Sequence, residues 1–185
     1  MIRIALIGEI GSGKTFVSKC FKYPLFNADD EVNKIYKNNK TCFYKLKRIF
    51  PNNIKNFPIL KSEIKQILNK KNIKLLSKVI HPYVRLNLKK FLIKNRKSKY
   101  VILDIPLLIE NKLYKKNDII IFIKTSKQKI SKRLKKRGST DTNSINILRS
   151  LQLNKKKKIK LSNYVINNNF GKVEILKQIK QIIND

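Results

Sequence analysis

Gly8-Glu9-Ile10-Gly11-Ser12-Gly13-Lys14-Thr15 decides how this chain folds. The octet matches G-x-x-x-x-G-K-[ST] in full, and its flanks suit the motif. Before it stands Ile2-Arg3-Ile4-Ala5-Leu6-Ile7, a compact apolar run that reads as a buried parallel strand. After it, Thr15 to Phe21 reads as a helix. The glycines let the backbone turn tightly, so that several N–H groups converge on a phosphate. The helix that follows adds its positive end. Lys14 places a point charge on the β- and γ-phosphates of ATP, and Thr15 offers a hydroxyl to Mg²⁺. Gly11, Ser12, Gly13, Lys14, Thr15 and Phe16 are therefore the expected nucleotide-binding residues. Glu9 brings a negative charge to the loop and is expected to point away from the phosphates.

Outward from the loop, apolar runs recur. Leu25 to Asn27 is a short candidate strand. Tyr100-Val101-Ile102-Leu103-Asp104 and Asp118 to Ile123 are apolar on consecutive positions, as strands covered on both faces must be. Tyr164-Val165-Ile166 reads as a last strand and Val173 to Ile183 as a terminal helix. Between the second and third strands the spacing changes. Ile64, Ile67 and Leu68, then Leu75, Leu76, Val79 and Ile80, recur at helical intervals, with Pro51, Pro58 and Pro82 as punctuation. This stretch reads as an insertion of several short helices. Lys127 to Lys160 reads as two basic helical pieces broken at Gly138-Ser139-Thr140-Asp141. Strands alternating with helices give an α/β fold around a parallel sheet.

Charge is the other conspicuous feature. Forty-four basic residues against 11 acidic ones give a formal charge of +33. A nucleic-acid surface would explain it, but only seven of the basic residues are arginine. Base and bidentate phosphate contacts favour arginine. The abundance of Lys, Asn and Ile instead fits A/T-rich codons, so no specific nucleic-acid partner is expected. The field still attracts anionic substrates. No apolar run approaches the ~20 residues that span a bilayer, and no secretory signal is apparent, so a cytoplasmic protein without a membrane partner is expected. Cys20 and Cys42 lack metal-ligand spacing and read as reduced thiols.

Five ordered motifs narrow the phosphate-loop reading. They are the loop itself, the turn Asn27-Ala28-Asp29-Asp30, the pair His81-Pro82 with Arg85 after it, the string Asp104-Ile105-Pro106-Leu107-Leu108-Ile109-Glu110-Asn111, and the basic segment Arg133-Leu134-Lys135-Lys136-Arg137. Arg149, Gln152 and Tyr164-Val165-Ile166-Asn167-Asn168 continue the pattern. In these motifs the chain resembles the dephospho-CoA kinase family over nearly its whole length. The resemblance implies transfer of the ATP γ-phosphoryl group to the ribose 3′-hydroxyl of dephospho-CoA. It also implies a three-layer P-loop core at 1–29, 99–126 and 161–185, a helical CoA-binding region at 30–98 and a helical lid at 127–160. Two positions depart from the family pattern, which usually has aspartate where Asn27 stands and often where Asn167 stands. A nucleoside-monophosphate-type kinase is the alternative within enzymes. A basic nucleic-acid-binding P-loop protein is the alternative outside them.

Several residues carry two readings each. Asp29 is the expected catalytic base, since a hydroxyl acceptor needs a carboxylate for its proton; the same residue suits a helix N-cap. If the chain is still extended there, Asp30 faces the other way. Asp104 ends an apolar strand where a carboxylate serves Mg²⁺ or a purely structural bond. Arg137, with Arg133 one turn earlier, is the expected lid contact to ATP phosphates, against a solvated helix face. His81 and Arg85 are expected on the CoA portion, although His-Pro also suits a boundary between two helices. Leu107 and Tyr114, with Lys115, are expected to line the acceptor site.

Overall fold

In the computed structural model, β1 (Ile2–Gly8) feeds the glycine loop and α1 (Lys14–Cys20) leaves it. Residues 1–69, 71–136 and 142–185 are described, with 142–144 described by backbone alone. β2 (Leu25–Asn27) passes straight into α2 (Ala28–Asn38). Then come α3 (Lys40–Ile49), α4 (Lys61–Ile67) and α5 (Asn72–Lys94). β3 (Tyr100–Asp104) and β4 (Ile119–Lys124) return to the sheet. α6 (Lys127–Lys136), α7 (Thr142–Ser150) and α8 (Lys155–Lys160) precede β5 (Tyr164–Asn167) and α9 (Lys172–Asn184). The chain divides into two compact units, 1–27 with 95–185, and 28–94.

The first unit is an α/β layer structure. Its five strands are all parallel, in the order β2-β3-β1-β4-β5. Side chains alternate across a strand, so each apolar run has to be covered twice. Ile4 and Leu6 of β1, Ile102 of β3, Ile121 and Ile123 of β4 and Ile166 of β5 share one face with Val17, Phe21, Ile175 and Ile179 from α1 and α9. Ala5, Val101, Leu103 and Phe122 are as deeply buried on the other face, where α8 packs on β1. Each fully buried side chain of this kind contributes about 1.5–3 kcal/mol. The chain runs from β1 to one side of the sheet and later, through β4, to the other. The carboxyl end of β1 is thus a topological switch point, the place where open α/β sheets hold ligands.

The second unit has its own core of Ile35, Phe43, Leu46, Phe50, Ile54, Leu76 and Ile80 with their neighbours. Its polar groups mostly close local accounts. The Asn39 side chain accepts from the Cys42 N–H and caps α3 (2.8 Å). The buried Glu63 carboxylate accepts from the Leu60 and Lys55 N–H groups (2.8 and 2.9 Å). Cys42 lies inside this core, and burial pushes its thiol up to about 11 despite nearby Lys45.

Three sequence expectations change here. His81-Pro82 is no helix boundary, because α5 runs unbroken for 23 residues with Pro82 inside it. The missing proline N–H forfeits one helical bond. The apolar face of Leu75, Leu76, Val79, Ile80 and Tyr83 packs on the core before and after it, and carries the helix through. Asp29 and Asp30 are not extended but sit in the first turn of α2 with Glu31, where the positive helix end favours three carboxylates. Finally, the basic segment contains a third helix. Asn154 starts α8 by accepting from the Lys157 N–H (2.8 Å). The expected break at 138–141 lies outside the described residues.

Candidate active site

The phosphate loop closes at the carboxyl end of β1. The Ser12 N–H donates to the Glu9 carbonyl (3.1 Å), and Lys14 Nζ reaches back to the Gly8 and Glu9 carbonyls (3.3 Å each). Gly11 and Gly13 have φ of +84° and +88°, the left-handed region that favours glycine. A Cβ on Gly13 would also lie 2.7 Å from the Phe170 ring and 3.0 Å from an Arg133 guanidinium nitrogen. The loop is therefore packed from outside as well as curled from within. Ser12, expected to bind the nucleotide, presents neither of its donors. Its N–H is used within the loop, and its hydroxyl is wholly buried against Gly8 without a hydrogen-bond partner among the described residues. Its carbonyl accepts from Thr125 Oγ1 and from Asn168 Nδ2 (2.8 Å each).

Beside the loop, Asp104 ends β3. One carboxylate oxygen accepts from the Thr15 hydroxyl (2.8 Å) and from the Asn27 amide (2.9 Å). Strand register explains the meeting, because Asn27 pairs with Asp104 across β2 and β3. Among the described residues no three acidic, histidine or cysteine side chains cluster as a metal cage. One carboxylate plus one hydroxyl is nevertheless an oxygen donor set that suits a hard cation completed by phosphate oxygens and water.

Arg133 comes to the loop on α6. Its guanidinium lies over the Phe170 ring (4.7 Å to the centroid), and Phe170 tilts against Phe16 at 6.1 Å. Ile130 and Leu134 of the same helix sit where a Cβ on Gly11 would be, at 3.2 Å. A cavity of about 930 Å³ opens here, lined by Glu9, Ile10, Leu134, Arg149 and Gln152 among others. The Glu9 carboxylate faces Lys155 Nζ at 3.8 Å.

A phosphate-loop motif, a carboxylate beside its threonine and an arginine over its last glycine are an arrangement that suits nucleotide phosphotransfer. The family model for dephospho-CoA kinase matches residues 2–174. The chain belongs to the dephospho-CoA kinase family. The dephospho-CoA kinase of Ehrlichia canis (strain Jake) is 34% identical over 191 residues, covering 99% of this chain and 95% of its own. That of Wolbachia pipientis wMel is 30% identical, covering 98% and 96%. The solved structure of dephospho-CoA kinase from Campylobacter jejuni shares the fold, with a TM-score of 0.62 and 21% identity over 98% of this chain and 95% of that one.

The remaining residues of the family pattern are distributed as follows. In the sheet unit, Glu110 joins the loop after β3 to the base of α8. Its Oε1 accepts from the Leu153 N–H (2.9 Å) and pairs with the buried Lys158 Nζ (3.0 Å). Leu107 is half-buried in that loop with a left-handed φ of +54°. Tyr114 is elsewhere. Arg3, near the amino end of β1, holds the Leu113 carbonyl (3.2 Å) and Asp118 (2.8 Å), and Asp118 in turn accepts from the Lys115 N–H. Tyr114 and Lys115 therefore lie toward the amino ends of β1 and β4, the end of the sheet opposite the phosphate loop. Arg137 lies outside the described residues. Asn167 is exposed on β5, where its backbone N–H donates to the Gln178 side-chain Oε1 and its carbonyl accepts from Gln178 Nε2.

In the helical unit, Asp29 and Asp30 are both exposed on α2. Glu31, next to them, accepts from the Asn87 amide of α5 (3.0 Å). His81 and Arg85 lie one turn apart on α5, and His81 is half-buried. Burial, and then the Arg85 charge, hold the His81 pKa below its ordinary value. Thr125 and Phe170, the contact of Asn168 to Ser12 and the amide role of Asn27 escaped the sequence reading. The one signal for them is position, since Thr125 and Asn168 each follow the last residue of a parallel strand.

Proposed function

We propose that this protein transfers the γ-phosphoryl group of ATP to the 3′-hydroxyl of dephospho-CoA, giving CoA and ADP. Membership of the family over residues 2–174 carries the choice of acceptor. Lys14 and the loop N–H groups bind the phosphates and draw charge from the bond that breaks, between the γ-phosphorus and the β–γ bridging oxygen. Arg133 neutralises charge on the same phosphates from the lid side. Asp29 takes the proton of the acceptor hydroxyl as its oxygen bonds to phosphorus. His81 and Arg85 hold the anionic acceptor. Thr15 and Asp104 hold a Mg²⁺ ion, which supplies charge neutralisation on the phosphate oxygens. Residues 127–160 act as a lid that excludes water, so that phosphate passes to the acceptor and not to solvent.

The test is direct. Purified protein receives ATP and Mg²⁺ with dephospho-CoA, a panel of nucleoside monophosphates, or RNA, and products are resolved by chromatography. CoA and ADP should form in equal amounts from dephospho-CoA. Faster turnover of a nucleoside monophosphate would replace the acceptor while leaving the phosphate site intact. Among the described residues no helix is long and apolar enough to cross a membrane, so the assay needs no lipid.

A further inference from the structure

Two buried side chains outside the glycine motif converge on one atom of the phosphate loop. Thr125, one residue past β4, and Asn168, one residue past β5, both donate to the Ser12 carbonyl at 2.8 Å. Thr125 is 4% exposed and Asn168 1%. Asn168 is itself fixed, since its N–H donates to the Lys124 carbonyl (2.8 Å) and its Oδ1 accepts from the Phe170 N–H (2.9 Å). A carbonyl oxygen has two lone pairs, and here both are taken.

We infer that Thr125 and Asn168 are positioning residues, holding the Ser12 carbonyl from behind so that the Gly13 N–H is aimed at a nucleotide phosphate. The geometry of the peptide carries the step. The Ser12–Gly13 bond is trans, and a trans peptide is planar with its C=O and N–H pointing in opposite directions. Pinning the oxygen against the ends of β4 and β5 therefore turns the next N–H to the opposite side, where α1 begins. The Ser12 N–H, which belongs to the preceding peptide plane, is tied to the Glu9 carbonyl, so the two planes that meet at the Ser12 Cα are each held by hydrogen bonds. Gly13 completes the device. Its missing side chain leaves the space that Asn168 and Phe170 occupy, and its φ of +88° is open to glycine at little cost. A flipped peptide would point a carbonyl dipole at the phosphate, exchanging attraction for repulsion.

This inference rests on the reading of the loop as a nucleotide site, and the experiment keeps the two apart by omitting the acceptor. Binding of ADP is measured by calorimetry, and of adenosine by ligand-observed NMR, for the wild type, Thr125→Val, Thr125→Ser and Asn168→Asp. Melting temperature without ligand is recorded alongside. Thr125→Val removes one donor at constant shape, and Asn168→Asp turns a donor into an acceptor facing the Ser12 oxygen. Each should weaken ADP by about tenfold, the scale of one misdirected hydrogen bond. Adenosine, which has no phosphate, should bind within about twofold of wild type, and Thr125→Ser should restore ADP affinity. Three results would overturn the inference: unchanged ADP binding in both variants, equal losses for ADP and adenosine, or a loss that follows melting temperature and that serine does not rescue. A wild type that binds no ADP would remove the nucleotide reading itself, and the inference with it.

Discussion

The sheet unit and the helical unit spend their polar side chains differently. In the sheet unit they tie together points far apart in sequence, several of them around the phosphate loop. Asn168 reaches Ser12, Thr15 and Asn27 reach Asp104, and Glu110 reaches Leu153 and Lys158. In the helical unit they close nearby backbone donors, as Asn39 and Glu63 do, while an aliphatic and aromatic cluster supplies cohesion. The Glu31–Asn87 bond is a long-range one, and it anchors the turn that carries Asp29. Buried polar networks are costly when half satisfied. They persist in the sheet unit because they set the geometry of a loop, whereas the helical unit mainly needs a shape that holds two short stretches of surface in place. Polar substitutions should therefore cost turnover and ligand affinity in the first unit. In the second they should matter only at α2 and α5.

The largest expected effect falls on Lys14. Lys14→Ala should lower phosphoryl transfer by about 10³-fold or more, the upper scale for losing a charge-stabilising donor. The Lys14 ammonium makes two long bonds to loop carbonyls and is not part of the apolar core, so the fold should survive, as read by circular dichroism. Near-wild-type turnover would end the phosphate-loop assignment and, with it, the contrast between the two units.

Next comes the pair on α2. Asp29→Asn should cut kcat by about 10²-fold or more, the usual scale for losing a general base, with little change in KM for ATP. Asp30→Asn should be mild. Because both residues are helical, they differ in direction by about 100° and not by the half-turn of a strand. Kinetics of the two variants side by side assign the base. If Asp30→Asn is the dead enzyme, the base is Asp30.

Much of this architecture was legible in the chain. Consecutive apolar positions marked β1, β3 and β4, since strands covered on both faces leave no polar alternation to mistake for anything else. The short β2 was legible from Leu25 to Asn27. The loop was legible because its chemistry is local. What escaped depended on tertiary partners. Pro82 reads as a stop because local propensity is all the sequence displays, and packing on both sides of it overrides that signal. The opposite facing of Asp30 holds only if the chain stays extended there, and it does not, because α2 starts at Ala28 directly after β2. Thr125 and Asn168 are ordinary polar residues until the sheet sets their strand ends beside Ser12.

A smaller effect concerns Asn27, where the family usually carries aspartate. Its amide donates to Asp104 in a site where both residues are nearly buried. Asn27→Asp would set two carboxylates at hydrogen-bond distance and leave an acceptor unpaired, at a cost of about 1–3 kcal/mol. Urea unfolding in EDTA should show that loss, and Mg²⁺ with ATP should recover it, because a cation between two carboxylates removes the repulsion. At saturating Mg²⁺ the variant should be as active as wild type or more so. Equal stability in EDTA would mean that the Asn27 amide contributes nothing to holding Asp104.

The smallest effect is the most easily isolated, because His81 is the only histidine in the chain. Burial and the Arg85 charge lower its pKa in the folded protein from 6.5. The sign follows from proton counting. Above 6.5 both folded and unfolded chains hold a neutral imidazole, and the shift has no effect on stability. As the pH falls below 6.5, the unfolded chain takes up a proton that the folded chain still refuses. Stability therefore declines through that window and levels off once folded His81 is protonated too. The urea midpoint should fall between pH 7 and pH 5.5, before the carboxylates titrate, and His81→Gln should flatten that slope. A single ring resonance followed by NMR should have its midpoint below 6.5. Dephospho-CoA then sharpens the comparison between the units. Phosphates held beside His81 would favour its charged form and raise that midpoint, whereas ADP held at the phosphate loop would leave it alone. A midpoint that moves with ADP and ignores dephospho-CoA would reverse the roles of α5 and the loop.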